Sequence, residues 1–439
     1  MPANPVSRAK TFFRRRLPAG TAGSTDVPET APLAPTYPAA GFRLNVGIWV
    51  SEQLYWPEIG GGCTFEHEIV QALLRLRTES PHRYTFLGYS PEKPPILVGT
   101  DFPWVNACFP PAPPEHPVFD FDPCPDVKNA SLDLICYLNP WTCPFLDIPF
   151  IFNVWDLAHR ICPFFPEVSL AGTWNARELH FQQRIQRAAY VITPNETGKR
   201  EIGYFYRVPE EKVRALHHPT PSYALRVGAR RAGKEGLDHV GVTGEFLLYP
   251  AQFWSHKNHV LLLRVLLSLK RKYGYTPQLV FTGSDKPLFD SASIGNKAFI
   301  EQRTAELSLQ KQVIFAGFVS QEDLIALYQQ AVALVFASFF GPENMPPLEA
   351  FALGCPVIAS RIPGSEDQMG DAALLVDPTD PEAWADVIYK VRQKARLRSS
   401  LIAKGKKRAR RFTPDHFVQG LFQMIDEFAA YRSNWPSRF

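Results

Sequence analysis

Short, near-continuous apolar runs recur along this chain with helical patterns between them, and this alternation restricts the fold more than any other feature. In the first half the runs are LNVGIWV (44–50), YTFLGY (84–89), LDLICYL (132–138), PFIFNVWD (149–156), AAYVITP (188–194) and VRALHHP (213–219). In the second half they are FLLYPAQ (246–252), QLVFTGS (278–284), QVIFAGF (312–318), ALVFASF (333–339), PVIAS (356–360) and ALLVDP (373–378). They are short and rich in β-branched residues, as buried strands are. Segments such as CTFEHEIVQALLRL, HVLLLRVLLSLKRKY and SQEDLIALYQQA carry apolar residues at helical spacing. Apolar strands alternating with helices imply parallel sheets covered on both faces, so the chain reads as α/β.

At 439 residues there is length for two such domains. Residues 1–40 are rich in Pro, Ala, Thr and Ser without apolar period and read as a disordered basic tail. An N-terminal doubly wound domain is expected over 41–225, a hydrophilic linker over 226–244 and a second doubly wound domain over 245–415. A closing helix is expected over 416–439. The proline-rich stretch 91–125 reads as irregular. Ligands of such sheets bind at the carboxyl ends of strands, which places a site in the crevice between two facing domains.

Charge and cysteine content exclude several classes. The net charge of +4 gives no general drive toward nucleic acid. Seven cysteines without CxxC spacing fit a reducing compartment better than a disulfide framework or a zinc site. No run approaches the ~18–20 apolar residues of a membrane span, and no signal-peptide core follows the basic N-terminus. The chain therefore reads as soluble and cytoplasmic. Two basic runs, Arg8–Arg16 and Lys404–Arg411, are compatible with peripheral contact at the inner membrane face. Their plainer reading is a solvated tail and a solvated helix face.

Four segments carry candidate chemistry. The first is SFFGPENMPPLEAFALGCPVIAS, a strand, a Gly/Pro loop and a helix starting near Pro346 or Pro347. Proline suits a first helical turn, and free N–H groups there form an anion site. Glu349 would sit in that first turn, either accepting ribose hydroxyls or merely capping its own helix. The second is YPAQFWSHKNH, where Lys257 follows a strand and can meet a diphosphate as a point charge. The third is FNVWDLAHR, where Asp156 and His159 leave a buried strand at its carboxyl end. The fourth is the glycine run Gly60–Gly62 ahead of a helix, which permits close backbone approach but lacks the Gly-Lys-Ser/Thr ending of a phosphate loop.

The Ser338–Pro378 segment resembles the retaining glycosyltransferases of family 4, whose fold is called GT-B. The loop form GP-x-N-x-PPLEA is similar to a variant subgroup of that family. The resemblance runs from about Leu44 to the last helix, near His416–Tyr431. It implies a nucleotide-diphosphate sugar as donor substrate, no further cofactor, no metal, and a glycan or lipid-linked acceptor. It implies that Glu349 binds the nucleotide ribose and that backbone near Met345, Pro346, Pro347 and Leu348 holds the sugar and phosphate. It implies that Lys257 holds the diphosphate and that His159 contacts the sugar and the transition state, with Asp156 beside it. Gly61 and Gly62 would approach the diphosphate and acceptor. Gly283, Gly317, Phe318 and Val319 would line the nucleotide.

The sequence departs from the family at two positions. The first glutamate of the family's motif falls on Gly341, with Glu343 and Asn344 nearby as substitutes. The family's frequent arginine falls on Gln252, with His256 as a compensating donor. The expected activity is sugar transfer to an acceptor hydroxyl with retention, in polysaccharide or glycoconjugate biosynthesis. A non-catalytic sugar-nucleotide-binding protein and a sugar-nucleotide epimerase are the alternatives.

Overall fold

The computed structural model describes residues 42–55, 61–107, 125–227, 237–283 and 296–436. The expected tail, Gly60, Ser284 and much of the expected linker lie outside them. Two parallel sheets organise the rest. The first has seven strands: β1 (Asn45–Trp49), β2 (Arg83–Gly88), β3 (Trp104–Asn106), β4 (Leu134–Tyr137), β5 (Phe150–Asn153), β6 (Tyr190–Thr193) and β7 (Val213–Ala215), in the order β3-β2-β1-β4-β5-β6-β7. The second has six: β8 (Phe246–Pro250), β9 (Gln278–Thr282), β10 (Val313–Gly317), β11 (Ala333–Phe336), β12 (Val357–Ser360) and β13 (Ala373–Val376), in the order β10-β9-β8-β11-β12-β13.

Every apolar run above overlaps one of these strands. The strand without such a run is β3, which pairs Trp104–Asn106 with Phe86–Gly88 inside the proline-rich stretch read as irregular. Three residues are too short to show a period, and edge position tolerates nearby proline.

Alternation along each strand feeds two cores. In β1, Val46 and Ile48 join the cluster under the helix Gly61–Leu76, whereas Trp49 joins the cluster under the helix Thr173–Arg187. In β4, Leu134 and Cys136 go one way and Ile135 and Tyr137 the other. A sheet buried on both faces explains why its strands read as continuous apolar runs rather than alternating ones. The last helix, Pro414–Arg432, packs Phe417, Val418, Leu421 and Ile425 into the first sheet's core, with Phe417 edge-on to Phe65. The pairs Arg432–Asp133 and Arg214–Glu427, each at 2.9 Å, and His82–Asp426 hold it there.

The topology fixes two switch points, where strand order reverses and crossovers leave a crevice at the carboxyl ends. One lies between β1 and β4, the other between β8 and β11.

Candidate functional site

The second switch point is built from the segments after β8 and β11. The loop after β8 is tied to its neighbour by backbone: Phe339 N donates to His256 O at 2.7 Å, and the Tyr249 hydroxyl donates to Lys257 O at 2.7 Å. Asn258 Nδ2 adds bonds to Ala337 O at 3.1 Å and Pro378 O at 2.9 Å. This framework aims Lys257 across the gap. Its Nζ donates to Asn344 Oδ1 at 3.1 Å and lies 5.3 Å from the centre of the Phe336 ring. Burial lowers its pKa to about 8, with Asp156 and Glu167 acting in the opposite sense. The ammonium is thus charged at neutral pH, desolvated, and bound mainly to a neutral amide. Such a group strengthens its interaction with an incoming anion.

Gly341 explains the departure from the glutamate motif. Its φ of 130° disfavours any side chain, and a Cβ there would meet the Asn344 amide at 2.7 Å. Asn344 fills that space, donating from Nδ2 to Gly341 O at 3.0 Å while its backbone exchanges hydrogen bonds with the Gln368 amide. Glu343 engages the two histidines that follow β7. It is buried, and its carboxylate accepts from His217 Nδ1 and from His218 N at 2.8 Å. It ties the first sheet's last loop to the second sheet.

The helix after β11 begins at Met345, with Asn344 as its N-cap. Two of its first four residues, Pro346 and Pro347, have no N–H, so only Met345 and Leu348 can donate there. Glu349 falls in the second turn, not the first. Tyr223 and Tyr328 donate to its two oxygens at 2.9 and 2.7 Å. Burial raises its pKa, and the two tyrosines oppose that.

The helix Gly61–Leu76 brings its first two residues, Gly61 and Gly62, to the same place. A Cβ on Gly61 would lie 3.7 Å from Met345 Cγ. A Cβ on Gly62 would meet the Trp155 ring at 2.9 Å, so the helix can start this close only with glycine. Asp156 accepts from Ala158 N at 2.8 Å and Arg177 Nη2 at 2.9 Å. At the first switch point Glu66 is fully buried, accepting from Ser51 N at 3.0 Å and from Ser51 Oγ, with Asn139 Nδ2 at 3.4 Å. Burial raises its pKa to about 7.

His159 is packed within the first sheet's domain. It has no exposed surface, its Nε2 lies 3.1 Å from Glu178 and 3.3 Å from the Tyr206 hydroxyl, and its ring stacks on Phe181. Burial lowers its pKa to about 4. The same Glu178 carboxylate binds Arg160 through two nitrogens. These contacts bind His159 into a buried cluster, with its Nδ1 left without a hydrogen-bond partner. The chain direction after β5 was read from the sequence, but the side-chain face was not legible there.

The remaining sequence-marked residues sit along the second sheet's edge. Gln252 accepts from Trp254 Nε1 at 2.8 Å, and the Nδ1 of His256 is engaged by Glu167. Gly283 N donates to Gly317 O at 2.9 Å, which joins the ends of β9 and β10. Phe318 beyond them is 61% exposed and Val319 is half-buried. The basic run near the C-terminus is partly structural: Lys404 pairs with Asp371 at 2.8 Å and Arg408 donates to the Gln368 and Asp367 carbonyls.

Among the described residues that sequence reasoning missed, several have buried polar atoms without a partner, and Trp155 Nε1, His218 Nε2 and Glu167 Oε2 are three of them. Trp155 and His218 both pack on Phe65, at 5.6 and 5.2 Å between ring centres. None carries a spacing signal. A separate recess of about 410 Å³ lies at the opposite, amino edge of the second sheet, lined by Glu245, Tyr275, Gln278 and Arg392 among others. It is remote from both switch points. Among the described residues no helix is long and apolar enough to cross a membrane.

Comparison with known proteins agrees with this architecture. The family model for glycosyl transferases group 1 matches residues 240–408. The O-antigen chain mannosyltransferase RfbU of Salmonella typhimurium is 26% identical over 267 residues, which cover 61% of this chain and 67% of that protein. Several further curated relatives are matched over only 26% to 58% of their own length. The structure of sucrose-phosphate synthase from Thermosynechococcus elongatus superposes with a TM-score of 0.66 at 18% identity, covering 89% of this chain and all of that one. Anabaena HepE, solved in complex with UDP-glucose, gives 0.61 at 14% identity, covering 88% of this chain and all of that one. The two parallel-sheet domains match GT-B glycosyltransferase structures, and residues 240–408 carry the group 1 pattern.

Proposed function

We propose that this protein transfers a sugar from a nucleotide diphosphate to an acceptor hydroxyl with retention of anomeric configuration, in polysaccharide or glycoconjugate biosynthesis. One observation carries the reading. The second switch point holds a desolvated ammonium, Lys257, beside the start of the helix Met345–Leu353, and Gly61 at the start of the helix Gly61–Leu76 meets that same helix start. The group 1 match and a neighbour solved with UDP-glucose support it.

In this reading the bond from the sugar's anomeric carbon to the diphosphate oxygen breaks, and negative charge grows on the leaving phosphate. Lys257 and the Met345 and Leu348 amides stabilise that charge. The acceptor oxygen bonds to the same face of the anomeric carbon, and its proton goes to the departing phosphate oxygen. Glu349, oriented by Tyr223 and Tyr328, accepts the ribose hydroxyls with a remaining lone pair. Phe318, with Gly283, Gly317 and Val319, lines the base. Gln252 leaves Lys257 as the main cation on the diphosphate, and glycan or lipid-linked acceptors approach past Gly61 and Gly62.

The test is incubation with UDP- and GDP-linked hexoses, with and without glycan acceptors, followed by nucleotide release and by the product's anomeric NMR coupling. Acceptor-dependent release with the donor's anomeric configuration is expected. An inverted product overturns retention. Epimerised donor without acceptor favours the epimerase, and binding without turnover favours a non-catalytic protein.

A further inference from the structure

Glu167 stands on the short helix Pro166–Ser169 that follows β5, yet its carboxylate is engaged by the other sheet. Its Oε1 accepts from the backbone N of His256 at 2.9 Å and from His256 Nδ1. Phe165, its neighbour, packs against His256 and Phe339 at about 6 Å between ring centres (6.1 and 6.0 Å). The contact therefore crosses between the domains, one residue from Lys257. The Glu167 side chain is only 7% exposed, and its second oxygen, Oε2, is buried with no hydrogen-bond partner.

That orphan oxygen needs a donor. Buried polar atoms in native proteins are nearly always paired, and a carboxylate oxygen left bare is among the most unfavourable exceptions. Burial pushes the Glu167 pKa up, but the bonds from His256 hold it below the usual carboxyl range, so the group is ionised and accepts only. Among the described residues no donor reaches it: Lys257 is turned to Asn344, and Arg177 directs Nη2 to Asp156. A hydroxyl or N–H of a ligand seated beside Lys257 would supply that donor.

Resting on the reading of Lys257 as the diphosphate-binding cation, we propose that Glu167 Oε2 accepts a hydrogen bond from one hydroxyl of the transferred sugar and so selects the donor sugar. The sugar is bonded to the phosphate that Lys257 meets, so its hydroxyls are the ligand donors nearest this oxygen. A site built to receive a hydroxyl discriminates strongly, because an analogue without it leaves the carboxylate unpaired. The arrangement also makes sugar recognition depend on the two sheets being together, since Oε1 is held by the opposite domain.

Glu167→Gln tests the proposal in the full chain. The glutamine oxygen still accepts from His256, while its NH₂ replaces the orphan oxygen and cannot accept. Titration calorimetry with UDP, GDP and their glucose, galactose and mannose conjugates supplies the reading. The bare diphosphate should bind the variant within about twofold of wild type, and the preferred sugar nucleotide about tenfold or more weaker. Equal loss for both ligands means Glu167 acts only through His256, and loss for neither means it meets no sugar; either result overturns the proposal. Wild type supplies a second measurement that needs no variant. Among single-deoxy analogues of the preferred donor, one should bind about tenfold or more weaker, and uniform binding contradicts the assignment. If wild type binds no sugar nucleotide at all, the glycosyl-transfer reading falls and this proposal with it. If it binds them and Glu167→Gln is unchanged, only this proposal falls.

Discussion

The loop after β5 and the loop after β8 are alike in sequence: each leaves a buried strand and carries a titratable side chain within a few residues. His159 and Lys257 end in opposite circumstances. His159 engages Glu178 and Tyr206 through Nε2 alone and stacks on Phe181, with Nδ1 buried and without a hydrogen-bond partner. Lys257 is desolvated too, but meets one amide oxygen and stands where two sheets converge. Burial alone does not mark a functional group. What separates the two is charge: burial holds the His159 ring neutral, whereas Lys257 keeps a desolvated ammonium for an anion.

The largest effect should come from Lys257→Ala. Loss of the cation that meets the leaving group should reduce kcat/KM about 10²–10³-fold in steady-state assays, with the melting temperature nearly unchanged. His159→Ala should invert this pattern. It leaves Tyr206 and Glu178 short of a partner and opens a cavity beside Phe181, which predicts a loss of about 2–3 kcal/mol in denaturant unfolding. The folded fraction should turn over within about threefold of wild type. Matching kinetic losses in both variants would erase the distinction.

A smaller effect contrasts the two switch points themselves. The first is closed by Glu66, Ser51 and Asn139, the second is open at Lys257. The folded pKa of Glu66, about 7, lies above the ordinary value of 4.5 because burial disfavours its charge. The native state therefore keeps this proton where the unfolded chain releases it, and stability falls as pH rises from about 4.5 to 7. Glu66→Gln has no such proton. Its stability relative to wild type should grow by about 2 kcal/mol between pH 5 and pH 8, read by urea melts across that range. A constant difference would mean that Glu66 is charged in the native protein.

The architecture was largely legible because doubly covered sheets demand apolar strands, and Val46–Trp49 or Leu334–Phe336 announce themselves. The short edge strand Trp104–Asn106 did not, having too few residues for a pattern. Site residues were legible where backbone position decides the role, as with Gly62 against Trp155 and Lys257 at a strand end. They were not legible where the role depends on which face a side chain takes. His159 turned into the core, Glu343 toward His217, and Glu167 crossed to a loop 89 positions away. Such pairings are set by tertiary packing and leave no periodic trace.

The central claim is that Lys257 and the start of the helix Met345–Leu353 form the anion subsite of a sugar-nucleotide enzyme. The most direct test is equilibrium titration of UDP and GDP into wild type, Lys257→Ala and His159→Ala at one pH and ionic strength. The account predicts that one of the two diphosphates binds wild type and His159→Ala alike, and binds Lys257→Ala at least about tenfold more weakly. Equal affinity in wild type and Lys257→Ala, or no binding of either diphosphate by wild type, would contradict it.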